Sequence, residues 1–455
     1  MKSNARIFRY GLGVAVAWGL FISLTACGGS SGSSGSGADL IDGGDTINGS
    51  LRVRVVTSKD FIDGLPDATV VLSYPDGSLA ATGVTSDVGE VTFSNPPQHA
   101  TVTAVYRFPV YGDKTGYSLT SYYDVNVSAI TFDIDDFQNP NETIGSGVVN
   151  ISNQVGADDW RLVGVDHYSY SGGDMSTMNF ALNEDSIQEN GMFSIGVVGY
   201  DVDDNPVGYG FLQDQAFVDG MVLDIPLDRT DFGILTYTLK NVPETAKVLH
   251  YGCGPRNTGD PSSEFGIGEK PVLAPFPVSV SCHYLPDVGD NFLSVTSLDF
   301  DQNEDDINES SVSLFVFGAQ GDQTFDFDDA LGVPSNISLE FDGTQAMAVS
   351  WAGDSTGADS IRIRIDLDDT SDYIFKYDIC IPPSRNSIIL PHLPDSLGDF
   401  TSTVNRCSVN FNNSSYFSGY NDLLTKMEQF YRGTYTVPLD FIQTVSSSYL
   451  TIGDM

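Results

Sequence analysis

The choice of acidic residue is the feature that most limits what this chain can fold into. The 455 residues include 50 Asp but only 11 Glu, and they include only 8 Lys. Glu and Lys favour helices, whereas Asp favours turns, as do the 46 Gly and 21 Pro of the chain. The composition therefore predicts a loop-rich, mostly β protein.

The charge excludes one class of function. The formal net charge is −40, from 61 acidic and 21 basic residues. A nucleic-acid-binding protein needs a basic surface to displace counterions from phosphate, and this chain has little material for one. Because 41% of the residues are hydrophobic and 11% aromatic, the chain is also unlike a disordered acidic protein.

The N-terminus has the pattern of a lipoprotein signal peptide, residues 1–26. Three basic residues precede an apolar stretch at 11–24, which is shorter than the about 20 residues that a membrane span needs. The stretch ends in Leu24-Thr25-Ala26-Cys27, which resembles the lipobox of bacterial lipoproteins. The resemblance implies that Cys27 is lipidated and becomes the first residue of the mature chain. An ordinary signal peptide or an uncleaved anchor is the alternative.

A Gly/Ser-rich tether, residues 27–50, follows the cleavage site. Its reach is about 25 Å by random-coil scaling. Because no Asp follows Cys27, the resemblance to Gram-negative lipoproteins implies the outer membrane, with the acyl chains on Cys27 as the membrane contact. Cleavage removes three positive charges and leaves a body of −43, which anionic headgroups repel.

Four cysteines remain once Cys27 is set aside, and they fall into two pairs of similar spacing. In an exported protein an even number of cysteines indicates disulfides. We expect the bonds Cys253–Cys282 and Cys380–Cys407. Zinc ligation by the first pair with His250 and His283 is the alternative, although the spacing matches no known zinc pattern.

Residues 51–130 form the first predicted domain. The segment 65–72 alternates as a strand, Pro75-Asp76-Gly77 marks a hairpin, and 85–93 is a turn that leads into another strand. These patterns resemble the carboxypeptidase-regulatory-like and bacterial Ig-like domains. The resemblance implies a seven-stranded, transthyretin-like or Ig-like β-sandwich that serves as an accessory or spacer and has no catalytic residue.

The rest of the chain is also β in character. An acidic linker, 131–147, leads to a β-rich middle region, 148–334, which is one large sandwich or two small ones. Residues 335–455 resemble an Ig or fibronectin-III-like sandwich, with strands about 12–14 residues apart and Trp351 in its core. One short amphipathic helix is predicted at 420–432. The predicted fold class is therefore all-β, with tandem antiparallel sandwiches and one short C-terminal helix.

Five Asp-rich stretches are candidates for calcium, because Asp at positions i, i+2 and i+3 offers several oxygens from a compact loop. The candidate ligands are Asp201, Asp203, Asp299, Asp301, Asn303 and Asp305. None of the stretches completes an EF-hand loop. Solvated turns and strand faces are the alternative interpretation.

The sequence has no His-Glu-x-x-His motif and no nucleotide-binding loop. Asp166, His167 and Ser169 are close in the sequence, but Asp166 and His167 point to opposite faces if they form a strand. Tyrosine-rich stretches at 106–123 and 414–420 are candidates for glycan or protein contacts, with core filling as the alternative.

These features favour a lipid-anchored envelope protein that binds a glycan or a protein, or has a structural role, without catalysis. The alternatives are an enzyme that acts on polysaccharide, with the N-terminal domain as its accessory, and a spacer stiffened by calcium. The predicted location is the outer membrane, on its periplasmic or its outer side.

Overall fold

The computed structural model describes residues 49–57, 60–110, 114–134, 145–153, 156–163, 176–182, 191–256, 267–268, 271–286, 291–300, 310–318, 321–342, 345–367, 373–394, 404–432 and 442–451. Their regular structure is almost entirely β, in six sheets whose strand pairs are mostly antiparallel. The all-β prediction is confirmed.

The N-terminal sandwich, residues 50–134, has eight strands. They are β1 Ser50–Thr57, β2 Asp60–Gly64, β3 Thr69–Ser73, β4 Leu79–Val84, β5 Glu90–Ser94, β6 Ala100–Val110, β7 Lys114–Val125 and β8 Ala129–Ile134. Strand β1 lies between β5 and β8, antiparallel to the first and parallel to the second. Apolar and polar side chains alternate along β1, so that one face of the strand packs on the core. Leu51, Val53 and Val55 are fully buried, whereas Arg52 is exposed.

The second sandwich, residues 145–231, is formed by two three-stranded sheets. Its strands are β9 Gly145–Ser152, β10 Asp159–Val163, β11 Thr177–Leu182, β12 Met192–Tyr200, β13 Pro206–Ala216 and β14 Met221–Pro226. The sheets have the orders β11-β9-β14 and β10-β12-β13. The aromatic side chains of Trp160 and Phe180 are buried in its core. Tyr168 and Tyr170 lie outside the described residues.

The third sandwich, residues 233–333, has its own core. Its strands are β15 Gly233–Lys240, β16 Ala246–Arg256, β17 Ile267–Gly268, β18 Val272–Leu273, β19 Ser279–Tyr284, β20 Asn291–Phe300, β21 Ser310–Phe317 and β22 Gln323–Asp326. One sheet has the order β19-β15-β22, and strands β16, β20 and β21 lie opposite it. The middle region of the chain therefore contains two separate hydrophobic cores.

The fourth sandwich, residues 335–451, holds the C-terminal core. Its strands are β23 Ser335–Asp342, β24 Gln345–Ala352, β25 Ser360–Leu367, β26 Tyr373–Ile381, β27 Ser387–Ile389, β28 Val404–Ser414 and β29 Ile442–Thr451. Trp351 is 5% exposed and belongs to this core, as predicted.

One 13-stranded sheet runs through the first, third and fourth sandwiches. Its order is β17-β16-β20-β21-β29-β28-β25-β26-β7-β6-β3-β4, with β18 beside β16. Strand β7 pairs in parallel with β26, so the N-terminal sandwich is joined to the fourth sandwich by backbone hydrogen bonds. Both faces of β7 are buried: Leu119 and Tyr123 face the fourth core, and Tyr122 faces the first.

Two serines of strand β29 contact the segment that connects the third sandwich to the fourth. The Ser446 hydroxyl donates to the Leu331 carbonyl at 2.7 Å, and the Ser448 hydroxyl donates to the Pro334 carbonyl at 2.5 Å. Both serines are buried. Their hydroxyls satisfy carbonyls that this close approach removes from water.

The predicted helix is present as α1, Tyr420–Tyr431. Its apolar side chains, including Leu423 and Leu424, enter the core of the N-terminal sandwich, although the helix follows the strands of the fourth. Among the described residues, no helix has both the length and the apolar character that a membrane crossing requires.

Ionic contacts fix α1 on the N-terminal sandwich. Arg52 on β1 lies 3.2 Å from Glu428, and Arg432 lies 2.8 Å from Glu90 on β5. Arg432 also pairs with Glu428. The last turn of the helix is therefore linked to both β1 and β5.

Candidate functional site

Cys27, the predicted lipidation site, lies outside the described residues, as does the rest of 1–48. The catalytic alternative built on Asp166, His167 and Ser169 also lies outside them. The lipid anchor therefore stays a prediction from the sequence.

The Asp201 loop connects β12 to β13. One Asp201 carboxylate oxygen accepts hydrogen bonds from the backbone amides of Asp203 at 2.9 Å and Asn205 at 2.8 Å, and the Asn205 side-chain amide also donates to it. This is the pattern of an Asx turn, in which the carboxylate caps its own loop. The bonds account for Asp at this position without a metal.

The second calcium candidate is described only at Asp299. Its carboxylate lies 2.9 Å from Nε2 of His250 on the neighbouring strand β16. Asp301, Asn303 and Asp305 lie outside the described residues. Within the described ranges, no three His, Cys, Asp or Glu side chains form a group that could hold a metal ion.

Other aspartates also cap turns. Asp76 accepts from the hydroxyl and the amide of Ser78, and these bonds hold the pKa of its carboxyl below the ordinary value. Asp354 accepts from the amide of Thr356, and its pKa is lowered by hydrogen bonds from that residue. Like Asp201, these two aspartates therefore stabilise the turns in which they lie.

All four described cysteines are present as thiols in the structure, without a disulfide among them. Cys380 pairs with Arg362 on β25, whereas Cys407 pairs with Ile365 on the same strand. Because residues 362 and 365 lie on opposite faces of a strand, so do the two cysteines. The predicted Cys380–Cys407 bond is therefore wrong: the 13-stranded sheet lies between the two sulfurs.

Cys253 and Cys282 face the same core from opposite sheets. Their sulfurs lie 3.7 Å from one and the same oxygen, the carbonyl of His283. His250 lies three residues before Cys253 and His283 one after Cys282, so strand alternation turns both rings away from the sulfurs. The imidazole of His283 packs on Phe232 instead. The zinc alternative therefore does not fit this geometry.

Three of the tyrosines in the tyrosine-rich stretches are buried in the cores. Tyr122 and Tyr123 are 5% and 3% exposed, and Tyr420 is 7% exposed. The Tyr123 hydroxyl donates to the Ile389 carbonyl, and the Tyr420 hydroxyl donates to the Cys380 carbonyl. The binding prediction is wrong for these three residues, because their rings fill the cores between sheets.

A different surface is exposed and apolar. Strand β4 ends the 13-stranded sheet, so one of its sides has no neighbouring strand within the described part of that sheet. We define the edge surface as the exposed apolar side chains on and beside β4, which are between 45% and 64% exposed: Tyr74, Leu79, Val84, Val88 and Ile389. No charged residue occurs from 77 to 86, in a chain of which 18% is charged.

The turn before β4 is held rigidly. The amide of Tyr74 donates to the Ser78 carbonyl, and Gly77 has a φ of +83°, which a side chain would strain. The amide of His392 donates to the Gly77 carbonyl at 2.9 Å. The predicted turn at 75–77 is thus present, and it is bonded to the fourth sandwich.

A groove of about 320 Å³ lies at the Tyr74 end of the edge surface. Pro75 forms one wall, and strands β24 and β27, including Ile389, form the other. The Arg385 guanidinium lines it and donates two 2.7 Å hydrogen bonds to the Asp124 carboxylate, and these bonds raise the pKa of Arg385. Glu340, Ser350 and Ser387 also line the groove, so its walls are mixed: a cation paired with Asp124, an acidic residue, two serines and apolar side chains.

Sequence reasoning missed this surface. The signal that was available is the uncharged run 77–86 beside a hairpin turn. That β4 is an edge strand depends on the pairing of β3 with β6, which the sequence pattern does not show.

Comparisons with known proteins give distant likenesses in structure alone. No family model matches the chain, and no curated protein matches it. The shaft pilin SpaA of Lactobacillus rhamnosus GG is 9% identical, with 40% of this chain and 98% of that chain covered and a TM-score of 0.15. A streptococcal ancillary pilin is 8% identical, with 54% and 89% covered and a TM-score of 0.15. Two B repeats of the Staphylococcus aureus collagen-binding protein are 10% identical, with 72% and 99% covered and a TM-score of 0.13. Likenesses at these TM-scores carry no argument about this chain.

Proposed function

We propose that this chain is a non-catalytic, lipid-anchored protein of the outer membrane that binds an extended segment of a partner polypeptide along strand β4. The single observation that carries the binding proposal is the edge surface, an uncharged and apolar sheet edge on a strongly acidic body. The anchor is supported by the lipobox at Leu24 to Cys27 and by the Gly/Ser tether that follows it.

An edge strand offers unpaired backbone amides and carbonyls to another strand. Proteins commonly protect such edges with Lys, Pro, bulges or inward-pointing charges. The sequence of β4, Leu-Ala-Ala-Thr-Gly-Val, contains no charge and no Pro. A partner segment that adds to the sheet at β4 would gain main-chain hydrogen bonds, and side-chain contacts would supply its specificity.

The surroundings of β4 support a partner of one chemical kind. Leu79 and Val84 are exposed at the two ends of the strand and offer apolar contacts. Asp76 and Asp87 are both exposed, one before and one after the uncharged run. An extended segment with apolar side chains in its middle and a basic residue at each end therefore complements this edge.

The net charge of the body favours the same partner. A body of −43 attracts a basic segment and repels a second copy of itself at low ionic strength. The groove at the Tyr74 end adds a place for one side chain beyond the strand. These features favour a basic polypeptide over self-association.

A defined peptide pair tests the proposal. The probe is an eight-residue peptide with alternating Val and Thr and a Lys at each end, compared with the same peptide carrying Glu at each end. We expect the Lys-ended peptide to bind more tightly, in fluorescence anisotropy, and to protect the β4 amides from hydrogen exchange.

Matched substitutions assign the binding to β4. Leu79→Lys and Val84→Lys place a charge at exposed positions of β4 and should weaken peptide binding roughly tenfold, about 1.4 kcal/mol. Val222→Lys makes the same change at a position of β14 that is 61% exposed and should leave binding unchanged. Equal affinity in all three variants, or a glycan on an array that binds without protecting β4, would contradict the proposal.

A further inference from the structure

Two cysteines meet in the core of the third sandwich. Cys253 lies on β16, in the 13-stranded sheet, and Cys282 lies on β19, in the sheet that faces it. Each sulfur is 3.7 Å from the carbonyl oxygen of His283, so the two sulfurs are separated by no more than twice that distance. Cα atoms of the two strands approach within 8 Å of each other.

Both cysteines of the pair are shielded from solvent. Cys253 is 4% exposed and Cys282 is fully buried. Tyr237 lies in the same core, and its hydroxyl donates to the Gly252 carbonyl at 2.9 Å. The two neighbouring histidines do not point toward the sulfurs: His250 contacts Asp299, and the ring of His283 packs on Phe232. They therefore do not complete a metal site with the two cysteines.

We propose that Cys253 and Cys282 form an inter-sheet disulfide, and that Cys380 and Cys407 remain thiols. The structure then represents the reduced form. In the reaction, one thiolate attacks a small disulfide such as oxidised glutathione and releases one glutathione thiol. The second cysteine then attacks the mixed disulfide and releases the other. The protein loses two protons and two electrons, and the small disulfide accepts both electrons as it becomes two thiols.

The burial of both sulfurs determines the stage of folding at which the disulfide can form. Sulfurs with almost no exposed surface do not meet glutathione in the closed sandwich, so the bond forms as the sheets assemble. The bond crosses between the two sheets and closes a loop from Cys253 to Cys282. It therefore holds β19 against β16 by a covalent connection as well as by packing.

The other two cysteines are a control within the same chain. They lie on opposite faces of one sheet and cannot bond to each other without moving a strand. Burial raises the pKa of the Cys380 thiol to about 11 and that of the Cys407 thiol to about 12. Both therefore stay protonated at neutral pH, which is the unreactive form in disulfide exchange.

The experiment uses the full chain with Cys27→Ser, so that only the four cysteines of the body remain. The protein is refolded with reduced and oxidised glutathione, denatured and alkylated, and then digested without reductant for mass spectrometry. We expect alkylation at Cys380 and Cys407 and a linked peptide pair that contains Cys253 and Cys282. Alkylation of all four cysteines, or a linked pair that contains Cys380 or Cys407, would overturn the proposal.

A second measurement keeps the proposal testable if a variant folds poorly. The guanidinium midpoint of unfolding should be higher for the oxidised than for the reduced protein. In Cys253→Ala the midpoint should not respond to reductant, whereas in Cys380→Ala it should respond as in the parent. A reductant response that survives Cys253→Ala would assign the stabilisation to another bond and refute the assignment.

Discussion

Leu424 tests whether helix α1 is part of the N-terminal core. It is 1% exposed and belongs to the core that also contains Val53 on β1 and Phe132 on β8. Leu424→Ala removes three carbon atoms, a transfer loss of about 2.4 kcal/mol at about 0.8 kcal/mol for each. The cavity left behind increases the cost, so we expect the free energy of unfolding to fall by about 3–4 kcal/mol.

The substitution should also change the stability of particular strands of the N-terminal sandwich. Native-state hydrogen exchange should show amides of β1 and β8 losing protection, although the substitution lies at least 290 positions further along the chain than either strand. Asn421→Ala changes an exposed residue of the same helix and should leave these amides protected. If Leu424→Ala exposes amides of α1 and leaves β1 and β8 protected, the helix is not a structural part of the N-terminal sandwich.

Two further predictions concern a buried acid and the anchor. Burial raises the pKa of Asp359 above its ordinary 3.8, so its charged form destabilises the fold at pH 7 and this penalty is relieved as the pH falls through the raised pKa. Asp359→Asn keeps an oxygen that accepts the hydrogen bond of the Ser414 amide, and the variant should be more stable than the parent in urea denaturation at pH 7. The difference in free energy of unfolding should shrink as the pH falls toward 3.8, and a difference that does not change with pH would refute this. Cys27→Ser should abolish acylation and move the protein from the membrane to the soluble fraction, as followed by palmitate labelling and fractionation; continued membrane retention would refute the lipobox interpretation.

The excess of Asp over Glu predicted the fold class for a reason that the structure makes specific. Nine described residues other than Gly have positive φ, and eight of them are Asp or Asn. These side chains tolerate the left-handed region and can bond to their own backbone, whereas Glu is too long to do so in the same way. At Asp201, in one of the acidic runs that suggested calcium, the carboxylate caps such a turn.

The sequence could not show which elements share a core. The helical spacing of Leu423, Leu424 and Met427 predicted α1 with nearly the observed bounds, but an amphipathic stripe does not identify its partner. The same holds for β7, whose parallel neighbour β26 lies more than 250 positions later. Such long-range pairings depend on the packing of the whole chain, so the edge position of β4 and the groove beside it were not predictable.

The cysteines show the same limit. Spacing alone made the two pairs look equivalent, since each pair encloses a loop of similar length. The structure separates them, because Cys253 and Cys282 converge between facing sheets while Cys380 and Cys407 diverge across one sheet. An even number of cysteines does not show which face of a sheet each cysteine lies on.

The position of β1 determines how the body bears a pulling load. This strand begins at Ser50, where the predicted tether ends, and it pairs with β5 on one side and with β8, in parallel over six positions, on the other. A force that draws Ser50 along the strand axis loads these backbone bonds together in shear, whereas a hairpin peeled from its end breaks them one after another. If the proposed anchor holds the body through β1, the load is therefore shared among many hydrogen bonds, and the body resists extension more strongly than a hairpin peeled from its end would.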